Sequence, residues 1–210
     1  MSAMSRITFT TLGPPGTNHE LVTRKYLGFH GLSATADLQL SASVDEAVER
    51  IHAGTADYFV LCSVHPDTPR AVGRHYREMF VVDSFISPSL PLAVLTRADI
   101  EHPTSLGVLH PSTTDYIDAS SWDRVVHITT GTLHTVAEGL LAGRYDSGLV
   151  YRNYAERFPG RLRVDLDLGS PDDAWLVLGR ERTFSEPVQA WQDAPIARQF
   201  ARIGGSGEVR

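Results

Sequence analysis

Short apolar runs rich in β-branched and aromatic residues alternate with segments of helical spacing along most of the chain. Ile7–Leu12 predicts a first strand that ends in a turn at residues 13–16, and Thr17 and Asn18 predict the start of a helix that continues to about Tyr26. Other strands are predicted at residues 38–40, 57–62, 79–85, 92–96, 105–109, 125–129, 148–151, 162–166 and 174–178. Other helices are predicted at residues 43–52, 132–141, 152–158 and 187–203, and a proline-containing loop at 64–74.

This alternation of strands and helices predicts an α/β fold with mostly parallel sheets. Several strands end in a Gly, Ser or Thr loop that opens a helix, and ligands of such folds bind at the carboxyl ends of the strands. The free N–H groups and the positive dipole end of a helix N-terminus favour an anion. Because Gly-Pro-Pro-Gly at residues 13–16 does not match the dinucleotide-binding glycine pattern, we expect a small carboxylate or phosphate as the ligand.

Composition narrows the class of protein and the compartment. The 210 residues are 42% hydrophobic and 21% charged, with a net charge of −6, which is typical of a globular protein with a sizeable core. No apolar run has the length of a membrane helix and no basic stripe suits nucleic acid, so we expect neither partner. Cys62 is the only cysteine, which excludes an internal disulfide and a cysteine-based zinc site. The N-terminus lacks the apolar stretch of a secretory signal, so the sequence predicts a cytoplasmic protein.

Six motifs, in order along nearly the whole chain, resemble those of prephenate dehydratases. Thr-Leu-Gly-Pro-Pro-Gly-Thr at residues 11–17 resembles the opening motif of the family, and Ser-Val-Asp-Glu-Ala-Val at 43–48 resembles its second helix. The remaining motifs are Ala56-Asp57-Tyr58, His110-Pro111, Thr132 with Tyr145-Asp146 and Tyr154-Ala155, and Leu176-Val177-Leu178-Gly179. The resemblance implies two α/β lobes of the periplasmic-binding-protein type II class, with an active site in the cleft between them.

The same resemblance implies how the chain divides. Residues 1–90 and 167–203 would form lobe 1, residues 91–166 lobe 2, and residues 204–210 a flexible tail. The sequence ends where the phenylalanine-sensing regulatory domain of the usual enzyme would follow, so we expect no such domain here. Members of the family are usually oligomers, and the resemblance therefore implies a homo-oligomer.

Three departures from the dehydratase pattern change the implied activity, and the first is the lack of the regulatory domain. The second is on the last strand, where the catalytic Thr-Arg-Phe motif is replaced by Asp173-Ala174-Trp175. The third follows the third strand, where Glu-Asn-Ser is replaced by Val-His-Pro at residues 64–66. The chain is more similar to the prephenate decarboxylases of the bacilysin pathway and their relatives, which share the opening motif, His-Pro-Ser at 110–112 and a tryptophan at the place of Trp175.

That closer resemblance implies a carbon–carbon lyase of natural-product (antibiotic) biosynthesis. Prephenate would lose its ring carboxylate but keep its ring hydroxyl, and the product would be a non-aromatic dihydro-4-hydroxyphenylpyruvate. The substrate is then a small dicarboxylate. The reaction needs no cofactor, and the sequence offers no evident ligand set for a metal.

Such a reaction requires anchors for two carboxylates and one proton donor. Histidine suits proton exchange near neutral pH, and we expect His110 first, then His65, with Asp173 as an alternative acid. The predicted substrate-binding residues are Thr17, Asn18, Ser63, Ser87, Ser112, Thr113, Thr132 and Trp175.

Other interpretations of the same residues stay open. A dehydratase with a rearranged site would form phenylpyruvate, a related lyase would act on a prephenate or chorismate analogue, and a non-catalytic protein of this fold would bind a small anion. His110 has a structural alternative as the end of a strand, and His65 as part of a solvated loop. Trp175 has an alternative role in the core, and Asp173 in a turn.

Overall fold

The structure is a computed structural model that describes residues 6–109, 111–185, 188–191, 194 and 196. Its strands are β1 (Ile7–Leu12), β2 (Ala36–Ser41), β3 (Tyr58–Cys62), β4 (Phe80–Pro88), β5 (Leu92–Arg97), β6 (Ser105–Val108), β7 (Arg124–His127), β8 (Ser147–Tyr151), β9 (Leu162–Gly169) and β10 (Asp172–Gly179). Its helices are α1 (Asn18–Phe29), α2 (Val44–Ala53), α3 (Thr68–His75), α4 (Pro111–Thr114), α5 (Leu133–Leu141) and α6 (Asn153–Arg157), with a 3-10 turn at Ala119–Ser121. Within the described ranges, no helix is both long and apolar enough to cross a bilayer.

The strands form two five-stranded sheets, and both are mixed. The first has the order β2-β1-β3-β10-β4 and the second the order β7-β6-β8-β5-β9. In each sheet three consecutive strands are parallel, and the other two neighbouring pairs are antiparallel. The expectation of mostly parallel sheets is therefore wrong. In the first sheet the physical reason is the path of β10, which returns from the second sheet and inserts between β3 and β4. A parallel neighbour usually requires a crossover helix, whereas β10 enters from the opposite end and pairs antiparallel with both strands.

Helices cover both faces of the first sheet. Successive residues of a strand point to opposite faces, and β3 shows this clearly. Phe59 and Leu61 pack with α2, while Val60 and Cys62 pack with α1 on the other face. The prediction that this strand is buried on both faces is confirmed. In the second sheet, α5 and α6 pack against one face, and the loop around the 3-10 turn packs against the other.

Local signals place several helix ends. The sequence Ser-Val-Asp-Glu at residues 43–46 predicts a reciprocal capping box between Ser43 and Glu46 at the start of α2. The Ser43 side chain accepts from the N–H of Glu46 as predicted, but the Glu46 carboxylate accepts from the N–H of Ala42 instead of that of Ser43. Gly54, at a φ of 70°, ends the helix in the left-handed conformation that glycine adopts without strain. The Thr132 hydroxyl caps α5 by accepting from the N–H of His134.

Two predicted segments differ from the structure. Residues 64–74 were expected to form a loop because of their two prolines, but Pro69 lies in the first turn of α3. A proline is tolerated there because a first-turn N–H has no partner within the helix. For the helix expected at residues 187–203, residues 188–191 are irregular and most of the remaining segment lies outside the described residues, as does the expected tail at 204–210.

The chain passes between the sheets twice, and the two crossings are adjacent. The first follows β4 and the second follows β9, and the N–H of Ser89 donates to the carbonyl of Pro171 over 2.9 Å. Each sheet with its helices forms one lobe. The lobe bounds expected from the sequence, with the second lobe ending at residue 166, stay a prediction. In the structure β9 of the second sheet continues to Gly169.

Candidate functional site

The candidate site lies where the carboxyl edge of the first sheet meets the second lobe. The parallel strands β1 and β3 end at this edge, at Leu12 and Cys62. Because β10 is antiparallel to β3, with Trp175 opposite Cys62, the start of β10 lies at the same edge. The loop after β1, the loop after β3, the start of β10 and the first crossing are thereby brought together.

A chain of hydrogen bonds with one direction runs through this edge. The backbone N–H of Leu90 donates to Asn18 Oδ1 over 3.0 Å, which fixes the orientation of the Asn18 amide because a backbone N–H can only donate. Asn18 Nδ2 then donates to Ser89 Oγ over 2.6 Å. The Ser89 hydroxyl in turn donates to Asp173 Oδ2. Asp173 is therefore a hydrogen-bond acceptor in this network.

Asp173 is buried as well as bonded. With 8% of its surface exposed, it is the one charged residue in the buried interior of the described chain. It pairs in register with the buried Ser87 of β4, whose own hydroxyl is directed to the carbonyl of Pro88. A carboxylate has about four acceptor positions, so the bond from Ser89 leaves capacity to accept from a ligand hydroxyl.

Two histidines and a tryptophan lie beside this network. The ring of His19, in the first turn of α1, lies edge-on to Trp175 at 5.1 Å and to His65 at 5.7 Å between centroids. Burial and, to a smaller extent, the neighbouring His65 lower the pKa of His19 to about 3, so its imidazole is neutral at physiological pH. His19 Nε2 and Trp175 Nε1 are buried, and neither has a hydrogen-bond partner among the described residues. Both are therefore buried polar atoms without a described partner at the edge where the candidate site lies.

The loop after β3 holds His65 in one neutral tautomer. The backbone N–H of Asp67 donates to His65 Nδ1 over 3.2 Å, so a neutral His65 carries its proton on Nε2. The N–H of His65 donates to the Cys62 carbonyl, and the Thr68 hydroxyl donates to the same carbonyl over 2.7 Å. This loop therefore presents Nε2–H as the proton-bearing atom of the His65 ring.

The second lobe contributes tyrosines to the site. Tyr151 ends β8, and burial raises the pKa of its phenol, opposed by a hydrogen bond from the backbone N–H of Asn18. The charge of Asp173 also acts on Tyr151, and it acts on Tyr116, whose pKa is raised first by burial. Both phenols are therefore protonated at neutral pH and can donate hydrogen bonds to a ligand from the second lobe.

The structure brings together some of the predicted residues. Asn18 is linked to Asp173 through Ser89, and His65 is linked to Trp175 through His19. Ser63 lies beside the start of β10, because its N–H donates to the carbonyl of Ala174. Ser87 adjoins Asp173 through its register in β4. Trp175 was expected either to bind the substrate or to be a core residue. The structure buries it in the core of the first lobe, where its ring also contacts His19 of the candidate site.

Other predicted residues have different surroundings. Thr17 occupies the N-cap position of α1, but its hydroxyl does not cap the helix and donates instead to the carbonyl of Leu12 over 3.2 Å, which corrects the expected capping role. Thr132 caps α5 in the second lobe. Ser112 and Thr113 lie on α4, at the carboxyl end of β6. His110 lies outside the described residues.

Two other groups are now assigned structural roles. His134 contacts the Tyr154 hydroxyl through Nδ1, and its Nε2 lies 3.2 Å from the Glu138 carboxylate. Cys62 is buried, and burial raises the pKa of its thiol to about 11, so the thiolate form is scarce at neutral pH. Its role is that of a small core residue.

Sequence reasoning missed Ser89 and the two tyrosines. Tyr151 ends β8, which is parallel to β6, and ligands of such folds bind at the carboxyl ends of strands, so this signal was present in the sequence. Ser89 carries no local signal, since its partners Asn18 and Asp173 are 71 and 84 residues away.

Comparisons with solved structures give the fold class. A prephenate dehydratase from Arthrobacter aurescens in complex with L-Phe has a TM-score of 0.61 and 21% identity, over 87% of this chain and 63% of that one. An ABC transporter from Parabacteroides distasonis has a TM-score of 0.54 and 15% identity, over 84% and 66%. The periplasmic VFT2 domain of Bordetella pertussis BvgS has a TM-score of 0.54 and 12% identity, over 82% and 80%. No family model and no curated protein matches the chain.

The predicted two-lobed α/β fold of the periplasmic-binding-protein type II class is confirmed. The expected likeness to prephenate dehydratases is confirmed at the level of the fold. The chain spans less than two thirds of the length of the dehydratase and of the transporter. At identities of 21% or less the comparisons establish the fold. The reaction or the ligand of this chain depends on the residues of the candidate site.

Proposed function

We propose that the chain is a lyase that decarboxylates prephenate without forming an aromatic ring. The observation that carries this proposal is Asp173, a buried carboxyl that accepts a hydrogen bond from Ser89. By the resemblance described above, dehydratases have a threonine proton donor at this place. Asp173 thus puts a hydrogen-bond acceptor where dehydration needs a proton donor. This exchange changes which group of the substrate can leave.

The ring hydroxyl is the group that this exchange affects. A proton donor at the hydroxyl promotes its departure as water, and departure together with CO2 gives an aromatic product. Asp173, as an acceptor, takes a hydrogen bond from the hydroxyl instead, which increases electron density on that oxygen and makes it a poorer leaving group. The directed chain from Leu90 through Asn18 and Ser89 supports the acceptor state of Asp173.

The bond changes then balance without a cofactor. The bond between the ring and its carboxylate breaks, CO2 leaves, and the electron pair shifts through the ring diene to a carbon that takes up one proton. Of the described histidines, we assign this proton to His65, which would give it from Nε2 of the imidazolium form once Nδ1 has exchanged the bond from the Asp67 N–H for a proton. His110 stays the other candidate, as the sequence predicts. The buried surroundings of His19 and Trp175 offer a less polar place for the departing carboxylate.

Neutral donors would hold the rest of the substrate. His19 Nε2 and Trp175 Nε1 are buried without a described partner, and Tyr151 of the second lobe contacts the backbone N–H of Asn18 at the same edge. Ser63, Ser112, Thr113 and Thr132 stay proposed contacts to the two carboxylates. Thr17 has used its hydroxyl proton within the protein, so any contact from Thr17 to a carboxylate would come from the helix that follows it.

Proton NMR of prephenate incubated with the purified protein tests the proposal. We expect the prephenate signals to decay, new olefinic signals to appear, and no aromatic signals above an enzyme-free control. Aromatic phenylpyruvate signals above that control would identify a dehydratase and overturn the proposal. An unchanged spectrum would also overturn it and would leave an analogue substrate or a binding role.

A binding protein for a small anion is the second candidate. The observation that favours it is the pair of buried nitrogens without described partners, since such atoms serve ligand binding with or without turnover. Isothermal titration with prephenate distinguishes the two functions. Tight binding with an unchanged NMR spectrum would establish the binding role, whereas product formation would exclude it as the whole function.

A further inference from the structure

Three potential metal ligands come together on the surface of the first lobe, away from the strand ends that form the candidate site. His52 lies in the last turn of α2, His75 is the last residue of α3, and Glu78 lies three residues further along the chain. Ligand atoms of all three lie within 4.8 Å of one another. The centroids of the two imidazole rings are 5.0 Å apart, and His52 Nε2 lies 3.6 Å from Glu78 Oε2.

The backbone that carries these side chains is held in place by the core. Ile51, next to His52, and Met79, next to Glu78, belong to the same buried cluster, as does Ala71 of α3. The N–H groups of Glu78 and Met79 both donate to the carbonyl of His75 over 2.9 Å. The chain therefore fixes three ligand-bearing positions from two helices and a turn before any ion binds.

The side chains themselves are free to adjust. Zinc bonds of about 2.0–2.1 Å to nitrogen and oxygen in a tetrahedron place the ligand atoms roughly 3.3 Å apart. The present separations are within 4.8 Å, and 33% of the His52 side chain and 70% of the Glu78 side chain are exposed. Small rotations of exposed side chains can supply the remaining approach.

The electrostatic surroundings also suit a cation. His52 and His75 both lie in the last turn of a helix, where the negative end of the helix dipole favours positive charge. Glu78 supplies a formal negative charge. Two arginines are neighbours of these residues along the chain, Arg74 before His75 and Arg77 before Glu78. Arg77 is directed to Tyr76, which it contacts by a hydrogen bond of 2.7 Å and by stacking.

We propose that His52, His75 and Glu78 form a binding site for a divalent transition-metal ion of the zinc class. Two imidazoles and one carboxylate are a ligand set for zinc, with water in the fourth position. The same ligands also accept Ni²⁺, Co²⁺ and Cu²⁺. The ion would join the ends of α2 and α3 to the segment that enters β4, so its binding stabilises the first lobe. This site is independent of the proposed lyase reaction.

Titration with ZnCl2 in a non-chelating buffer tests the site by calorimetry and by thermal unfolding. We expect one equivalent to bind, and at 100 times the Kd we expect the Tm to rise by roughly 5–10 °C. His52→Ala, His75→Ala and Glu78→Gln should each weaken binding by more than about 10-fold. His102→Ala is the matched control, because His102 is an exposed histidine in a different part of the chain and its replacement should leave zinc binding unchanged.

Two results would overturn the proposal. One is the absence of saturable zinc binding to the unmodified protein. The other is zinc affinity that survives in His52→Ala/His75→Ala but is lost in His65→Gln, which would assign the ion to the cleft. Circular dichroism of each variant without metal establishes that it is folded, so that a loss of binding is not a loss of structure.

Discussion

Two pairs of histidines in the first lobe have similar geometry and different surroundings. His19 and His65 lie 5.7 Å apart between ring centroids at the edge that faces the second lobe, and His52 and His75 lie 5.0 Å apart on the outer surface. Burial makes His19 neutral and leaves its Nε2 without a described partner. The outer pair is accompanied by a carboxylate and is more accessible to water.

The difference shows that the environment, and not the residue type, determines what a histidine pair can do. The neutral imidazole of His19, in contact with Trp175 and His65, suits hydrogen bonding to a ligand. An exposed pair with Glu78 suits a cation, because solvation and the nearby negative charge remove the penalty of bringing an ion there. The zinc titration tests the outer pair, and substitutions of His65, His19 and their neighbours test the inner one.

The largest effect is expected from His65→Gln. Removal of a general acid costs about 10²- to 10⁴-fold in turnover, while substrate binding should change little. Steady-state rates followed by NMR and calorimetric titration with prephenate measure the two quantities separately. His102→Gln, far from both pairs in the sequence and exposed, should keep full turnover. Undiminished turnover of His65→Gln would remove His65 from the mechanism and direct attention to His110.

The second effect concerns stability against pH. The pKa of His19 is lowered to about 3 in the folded protein, whereas the unfolded chain takes up this proton near pH 6.5. The folded state therefore loses stability as the pH falls from 6.5 towards 3, by about 3 kcal/mol at pH 4, and gains nothing further above 6.5.

Urea denaturation at several pH values measures this dependence. In His19→Gln the free energy of unfolding should fall less steeply between pH 6.5 and pH 4, since the substituted side chain takes up no proton in the unfolded chain. His102→Gln is again the control and should retain the slope of the unmodified protein. Equal slopes for His19→Gln and the unmodified protein would show that His19 is not held neutral by burial.

The third effect, on the product, is expected from Asp173→Asn. Hydrogen bonds to charged groups contribute about 1.5–3 kcal/mol, so decarboxylation should slow by roughly 10- to 100-fold. The new amide can donate to the ring hydroxyl, so a fraction of the product should become aromatic. NMR measures both changes in one experiment. Asp172→Asn, which changes the adjacent exposed carboxylate, is the matched control and should give neither effect.

Elements fixed by neighbouring residues were predictable from the sequence. The Ser43 and Glu46 side chains start α2 within one turn, and Gly54 ends it, so a window of about twelve residues contains the whole signal. The apolar run of β3 is buried on both faces, which its continuity indicated. The α3 helix was missed because a proline in a first helical turn and a proline in a loop give the same local pattern.

Features that depend on distant parts of the chain were not predictable in this way. The direction of β10 follows from its return out of the second lobe, and a strand pattern contains no information on direction. For the site, the rule that ligands bind at strand ends pointed to His65, and the family resemblance pointed to Asp173 and Trp175. The state of Asp173 as an acceptor depends on Asn18 and Ser89, which meet it only after folding.

The smallest effect is expected from Trp175→Phe, which removes the indole N–H beside the inner histidine pair. If this N–H binds a substrate oxygen, its loss should weaken prephenate binding by roughly 5- to 10-fold, the equivalent of about 1 kcal/mol. Titration in the His65→Gln background measures the affinity while turnover is slow. Trp122→Phe is the matched control, because Trp122 Nε1 is also buried without a described partner but packs on the second sheet. An equal loss of affinity in both variants would mean that general destabilisation, and not a ligand contact of Trp175, causes the effect.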